Sequence, residues 1–308
     1  MKSKVYIVGS INVDMSIHAE RIPRKGETLL GDNFTHSIGG KGANQALGTA
    51  RSGADVHMIG CIGDDHFGKE AIAFLNRESI DTSALTVIGN TSTSTAVILR
   101  TNDDNRIIVD SSANNRLSQS HVDRWLCGNP DDVLVVQYEI PVDIANYAII
   151  EAKKKGMITV LNPAPAHEIN DLVYSHLDHL ILNQTECELI TGIYPETERD
   201  MSQAIDFFLN KGTKNVVITL ASEGCVFGNR TIGKLSGEAI KVKVADSTGA
   251  GDAFIGSYVN SLINEVTVEN QLIDANIAGA LTCTQNGVET AIPVREEIIK
   301  FKEDYYGR

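Results

Sequence analysis

From Asp132 onward the chain alternates two kinds of segment with a regularity that few architectures accommodate. Short apolar runs at 133–136, 158–161, 180–182 and 216–220 are separated by helical stretches at 142–155, about 184–191 and 202–211. An uninterrupted apolar run of this length reads as a strand buried on both faces, and strands alternating with helices build βαβ units. A parallel sheet covered by helices is therefore expected. The run 4–9, K-V-Y-I-V-G, has the same character and reads as another of its strands. Open α/β sheets bind ligands outside the carboxyl ends of their strands. Polar residues cluster at those ends: Asn12 and Asp14 after the first run, then Glu139, Asn162, Asn183, Glu186 and Thr219. Taken singly, each is equally readable as an ordinary cap or turn residue.

The stretch 245–254, A-D-S-T-G-A-G-D-A-F, places a carboxylate directly behind a nearly side-chain-free turn. Phe254, Tyr258 and Leu262 recur at helical spacing, so a helix is expected from this turn to about Glu265. Gly249, Ala250 and Gly251 then offer backbone N–H groups at the positive end of a helix dipole, an arrangement suited to a phosphate or a developing negative charge. A carboxylate beside an anion hole has a chemical use when it takes a proton from a hydroxyl attacking that anion, which makes Asp252 a candidate base. The plainer alternative is an Asp that stabilises a helix start. A second Gly-rich stretch, I-G-G-K-G-A-N-Q at 38–45, leads into a helical segment at 46–52. Gly40 permits close approach, while Lys41 and Asn44 supply donors for hydroxyl or phosphate oxygens. Here the alternative is a Gly-rich turn with an exposed Lys. The segment 63–70 resembles a P-loop, but Glu70 replaces the hydroxyl residue, and Asp64 and Asp65 would repel phosphates. The β-branched stretch 91–99, the turn T-N-D-D-N and the run 106–109 have hairpin chemistry. With the segment after Asp14, broken by Pro23, Gly26 and Gly31, they suggest a small sheet over the site.

A net charge of −13, with no basic block, argues against nucleic acid and anionic membrane surfaces as partners. Five scattered cysteines without C-x-x-C spacing suggest neither a disulfide framework nor a zinc site, and read as reduced core residues of a cytoplasmic protein. No run has the length of a signal-peptide core or a membrane span. The histidines form no metal-binding motif, whereas Glu186, three residues after Asn183, suits Mg2+ held through water.

Together, G-S-I-N-V-D at 9–14, G-G-K-G-A-N-Q at 39–45, G-D-D-H-F-G at 63–68, L-N-P-A-P-A at 161–166, N-Q-T-E at 183–186 and D-S-T-G-A-G-D at 246–252 resemble the PfkB, or ribokinase-like, carbohydrate kinase family. The resemblance extends over essentially the whole chain and is closest to the family's ribokinase branch. It implies one three-layer α/β/α domain over 1–308 with a mostly parallel sheet, and a β lid from about 14–37 and 91–111 that also forms a homodimer. It implies transfer of the ATP γ-phosphoryl to a pentose hydroxyl, giving ribose 5-phosphate. Other implied acceptors are 2-deoxyribose, another sugar or a nucleoside; a non-catalytic sugar sensor is the reading from a different class. Position by position, Asn12, Asp14, Gly40, Lys41, Asn44 and Glu139 match sugar contacts. Asp252 matches the base, and Gly249, Ala250 and Gly251 the anion hole. Asn183 and Glu186 match the motif that organises Mg2+ and phosphates, and Thr219, Ser222, Gly224 and Asn276 the nucleotide site. A potassium site would use Asp246 with Thr248, Thr282, Gln285 and Gly287. Ala291 departs from the pattern, standing where a Ser hydroxyl is expected.

Overall fold

The computed structural model describes residues 3–102 and 105–307. Asp103 and Asp104, in the middle of the T-N-D-D-N turn, lie outside the described residues. In chain order the strands are β1 Lys4–Val8, β2 Asn12–His18, β3 Asp32–Gly39, β4 Asp55–Gly63, β5 Leu85–Ile88, β6 Ser94–Arg100, β7 Asn105–Asp110, β8 Val133–Gln137, β9 Ile158–Asn162, β10 His179–Asn183, β11 Asn215–Thr219, β12 Cys225–Asn229 and β13 Gly233–Gly237. Nine of them form one sheet in the order β13-β12-β11-β10-β9-β8-β1-β4-β5. From β5 to β11 every pairing is parallel, and β12 and β13 close that edge as antiparallel strands.

The apolar runs work as two-faced strands. Tyr6, Val8, Leu134, Val136, Leu180 and Leu182 point into one core with Ile144, Ile149, Ile205 and Phe208 of the helices Val142–Lys154 and Glu198–Lys211. Val5, Ile7, Val133, Val135, Ile181 and Val217 point into the other, against Leu47, Phe254 and Tyr258 of the helices Lys41–Arg51 and Ala250–Ile263. Alternation of side chains along a strand puts both sets on one continuous run, so no polar face is left to break it.

β2, β3, β6 and β7 form a separate four-stranded sheet in the order β3-β2-β6-β7. Its pairings are antiparallel except for β2 with β6. Leu30, Phe34, Val97, Ile107, Ile108 and Val109 on and beside it are exposed.

Several boundaries differ from the sequence expectation. The first Gly-rich helix begins at Lys41, not at 46, because its glycines serve contact rather than a loop: a Cβ on Gly42 would crowd the Ser10 backbone. The helix Glu198–Lys211 starts before 202, where Thr197 and Asp200 form a reciprocal cap. The helix Ala250–Ile263 stops short of Glu265, which takes a left-handed φ of 51°. Cys127 is exposed, contrary to a core role, since it follows a short surface helix, Gln119–Trp125; Cys61, Cys187 and Cys225 are buried, Cys283 is half-buried, and all five thiols are free.

Candidate active site

The carboxyl edge of the main sheet carries the polar groups that the strand register lines up. Gln137 ending β8 pairs with Asn162 ending β9, and Asn183 ending β10 pairs with Thr219 ending β11. Beside them, the turn from β1 into β2 is clasped to the Lys41 helix. Ser10 Oγ donates to Glu139 Oε2 at 2.7 Å and accepts from Gly42 N–H at 3.2 Å, and Lys41 N–H donates to the same Glu139 oxygen at 2.9 Å. The Asp14 carboxylate lies on Gly39, where a Cβ would collide with it, and Gly40 has a φ of 87° that favours glycine.

Asp252 reaches this edge from the opposite helix. Gly48 of one helix and Gly256 of the other meet backbone to backbone, and a Cβ on Gly256 would collide with the Gly48 main chain. This close crossing brings Asn44 and Gln45 onto Asp252: Asn44 Nδ2 donates to Oδ2 at 3.1 Å, and Gln45 Nε2 to Oδ1 at 3.0 Å. Gln45 Nε2 also donates to Asn162 Oδ1 at 3.1 Å, and Gln45 Oε1 accepts from Gln137 Nε2 at 2.6 Å. The carboxylate forces the orientation of both glutamines, because Gln45 must offer it an NH2 and so presents its oxygen to Gln137. Gln137 Oε1 is left buried without a partner, against Gly9.

Burial pushes the Asp252 carboxyl above its ordinary range, opposed by the Lys41 charge and by the Gln45 and Asn44 donors. Burial disfavours the Lys41 ammonium, but the carboxylates of Asp252, Glu139 and Glu186 outweigh it and hold its pKa above the ordinary value. Asp14 is pushed up to about 6, first by burial and then by Glu139 and Asp252.

A cleft of about 880 Å³ opens from Asp252 along the sheet edge, and Lys41, Asn183, Glu186, Thr219, Ser222, Gly224, Gly249, Ala250, Gly251 and Asn276 all line it. Gly249, with a φ of 80°, turns the chain into the helix Ala250–Ile263. Ala250 N–H is spent on Ser247 O at 3.2 Å, which leaves the neighbouring glycine amides for an anion. A Cβ on Gly251 would meet no atom, so the turn faces open space. Asn183 and Glu186 cap each other: Asn183 Oδ1 accepts from Glu186 N–H at 2.8 Å, and Glu186 Oε2 from Asn183 N–H at 2.9 Å. Glu186 is raised by burial, with the Asn183 N–H and Lys41 pulling it down. Among the described residues no three acidic, His or Cys side chains gather as a metal site. One carboxylate in a cleft wide enough for a nucleotide fits a Mg2+ ion that shares phosphate oxygens and water.

Asp246 sits on the approach to this turn. Its Oδ1 accepts from Thr248 N–H at 2.9 Å and Thr248 Oγ1 at 2.6 Å, and its N–H reaches Cys283 O at 3.3 Å. Burial is outweighed by the Thr248 donors, the Gly287 N–H and the Arg100 charge, so its carboxyl is held low. Thr282 O accepts from Gln285 N–H at 3.4 Å, and Gly287 O from Ala291 N–H at 3.1 Å, with the Ala291 methyl buried. Asp246, Thr248, Cys283 and Gly287 are thus tied in one hydrogen-bonded knot, to which Ala291 adds no side-chain oxygen.

Sequence reasoning passed over Ser10, Gln45, Asn114 and Gln137. Gln45 carried a signal, since Lys41, Asn44 and Gln45 fall on one helical face. Gln137 is the polar end of an apolar strand. Asn114 comes from the 3-10 turn Ser112–Arg116, and nothing in its local sequence places it against Asn12.

A base candidate held by amides, an anion turn and a nucleotide-sized cleft on one sheet edge find close parallels. The chain is 35% identical to the ribokinase of Haemophilus influenzae, over 98% of this chain and 99% of that protein. It is 30% identical to the deoxyribokinase of Salmonella typhi, over 96% of this chain and 98% of that one. The solved structure of Arabidopsis thaliana ribokinase complexed with ribose and ATP superposes with a TM-score of 0.89 at 27% identity, covering 97% of this chain and 98% of that one. The profile of the pfkB family carbohydrate kinases matches residues 2–295, and the chain belongs to that family of sugar kinases.

Proposed function

We propose that this sugar kinase transfers the γ-phosphoryl of ATP to the 5-hydroxyl of D-ribose, with Asp252 as the base. The observation that carries the reading is the setting of Asp252. It is 7% exposed, held on both oxygens by Asn44 and Gln45, and lines the cleft beside the Gly249–Gly251 turn. A carboxylate fixed in this way removes the proton of a hydroxyl lying against it, while the turn's amides and the Lys41 ammonium meet the negative charge on the transferring group. Asn12, Asp14, Gly40, Lys41, Asn44 and Glu139 bind the sugar; Asn183, Thr219, Ser222, Gly224 and Asn276 bind the nucleotide. Glu186 would hold Mg2+, and the ion, when bound, would supply charge neutralisation at the phosphates. The Asp246 knot would hold a monovalent cation, without the side-chain oxygen that a residue other than Ala291 could add.

The four-stranded sheet acts as a lid that excludes water, and its exposed apolar face joins two copies into a homodimer. Five free thiols support a cytoplasmic location. Relatives named ribokinase support ribose, and the Arabidopsis complex supports ATP as its partner substrate. The Salmonella relative makes 2-deoxyribose the second reading. An intact Asp252, anion turn and Glu186 argue against a sensor, which would need none of them together. ADP release measured with Mg-ATP over a panel of pentoses, hexoses and nucleosides tests the proposal. D-ribose should give the highest kcat/KM and a 5-phosphate product; a higher value for 2-deoxyribose, or turnover confined to a nucleoside, would overturn it.

A further inference from the structure

An asparagine amide has one face that donates and one that accepts, and at Asn12 the choice is made by another residue. Ile11 N–H, which can only donate, points at Asn114 Oδ1 at 3.1 Å. Asn114 must therefore turn its Nδ2 to Asn12, and it donates to Asn12 Oδ1 at 2.8 Å. Because this chain of bonds starts at a backbone N–H, the orientation of both amides follows from chemistry rather than from assignment. Asn114 is itself fixed: it is 2% exposed, and its N–H donates to Ser94 Oγ at 3.1 Å, whose hydroxyl donates to Ser111 O at 2.6 Å. With its oxygen occupied, Asn12, 4% exposed, keeps Nδ2 as its remaining polar side-chain atom, and Asn12, Asn114 and Glu139 line one cavity of about 360 Å³.

Resting on the reading that Asn12 contacts the sugar, we infer that Asn114 is a specificity-determining positioning residue, which locks Asn12 as a hydrogen-bond donor beside a cavity that Glu139 also lines. A hydroxyl between an N–H donor and a carboxylate satisfies both at once, since it accepts from one and donates to the other. A carbon bearing only hydrogen satisfies neither and leaves two buried polar groups unpaired. Were Asn12 reversed, two acceptors would compete for a single O–H, and the hydroxyl would lose its advantage. Asn114 thus determines the preference for a sugar hydroxyl at this point.

The substitution Asn114→Asp tests this without changing volume. The aspartate still accepts from Ile11 N–H, but when ionised it cannot donate, so Asn12 must turn its NH2 inward and its oxygen to the sugar. A buried aspartate titrates above its ordinary range, and once protonated it donates again. The readout is the ratio of kcat/KM for ribose over 2-deoxyribose, in which titration of the shared catalytic base cancels. For Asn114→Asp the ratio should fall at least about tenfold at pH 8 and recover toward wild type as the pH is lowered to about 5.5. A wild-type ratio across this pH range would overturn the inference, as would a lowered ratio that never recovers. Asn12→Met, which removes the amide, should keep the ratio low at every pH. If Asn12→Met instead leaves the wild-type ratio, the sugar-contact reading itself has failed. If Asn114→Asp does not fold, Asn114→Ser, too short to hold Asn12, makes the same comparison: a lowered ratio at every pH supports the inference, and the wild-type ratio overturns it.

Discussion

The two oxygens of Asp252 are supported unequally, and the difference is measurable. Asn44 reaches Oδ2 alone, whereas the Gln45 donor on Oδ1 is itself fixed by Asn162 and Gln137. Donors to the ionised form lower a carboxyl pKa, so removing one raises it. The substitution Gln45→Leu should lower kcat by roughly tenfold and shift the acid limb of the kcat–pH profile toward higher pH, with the sugar KM little changed. An unchanged limb would show that Gln45 does not tune the base. Asp14 gives a second residue-scale expectation. Its pKa is raised from 3.8 to about 6, so in the folded protein it holds its proton more tightly than in the unfolded chain. Stability therefore falls as the pH rises from 3.8 to about 6, and the ionised carboxylate present above that window carries a cost. If Asp14 contacts the sugar as proposed, its ionised form accepts from two hydroxyls without a proton of its own in the way, so kcat/KM for ribose should rise through a limb near 6. Asp14→Asn should remove the limb and raise the unfolding temperature at pH 8; a variant less stable than wild type would contradict this sign.

At the scale of elements, the site depends on how closely two helices cross. Gly48 and Gly256 let their backbones touch, and Gly256→Ala should destabilise the fold by roughly 1–3 kcal/mol and lower kcat by displacing Asp252 from Asn44 and Gln45. A variant with wild-type melting and turnover would show that the crossing has slack. This contact was not legible in the sequence. Gly256 sits inside a helical pattern with no turn around it, and only the three-dimensional crossing explains it. β1, β8, β9, β10 and β11 were legible because each is an apolar run buried on both faces, and so was the helix start at Gly249–Asp252, whereas β4, β5, β12 and β13 were not read from the sequence. The helix start at Lys41 was obscured because glycine signals a loop locally, whereas Gly42 serves packing against Ser10. Asn114 was invisible because its partner lies 102 positions away in the chain. The knot of Asp246, Thr248, Cys283 and Gly287 gives a further element-scale prediction. If the knot holds a monovalent cation as proposed, activity should rise when potassium replaces a large inert cation. If the response is flat, Ala291→Ser should restore it; a flat response in both would remove the cation from the account.

Across the whole molecule, the seven parallel strands from β5 to β11 collect the polar groups at one edge. The four-stranded sheet hangs from that edge by β2, the strand that carries Asn12 and Asp14. Any closure of this sheet would therefore move the proposed sugar contacts Asn12 and Asp14 with it. The chain's −13 charge would repel ATP at long range, so the nucleotide depends on local donors, chiefly the anion turn and Lys41. In the proposed reading sugar and nucleotide meet at Asp252, and the claim that it is the base separates binding from chemistry. The direct test is Asp252→Asn, with turnover measured by ADP release and the affinities for ribose and Mg-ATP by calorimetry. Both affinities should stay within a few-fold of wild type while kcat falls by about 10²-fold or more, the usual worth of a positioned base. Near-normal turnover in Asp252→Asn would contradict the assignment.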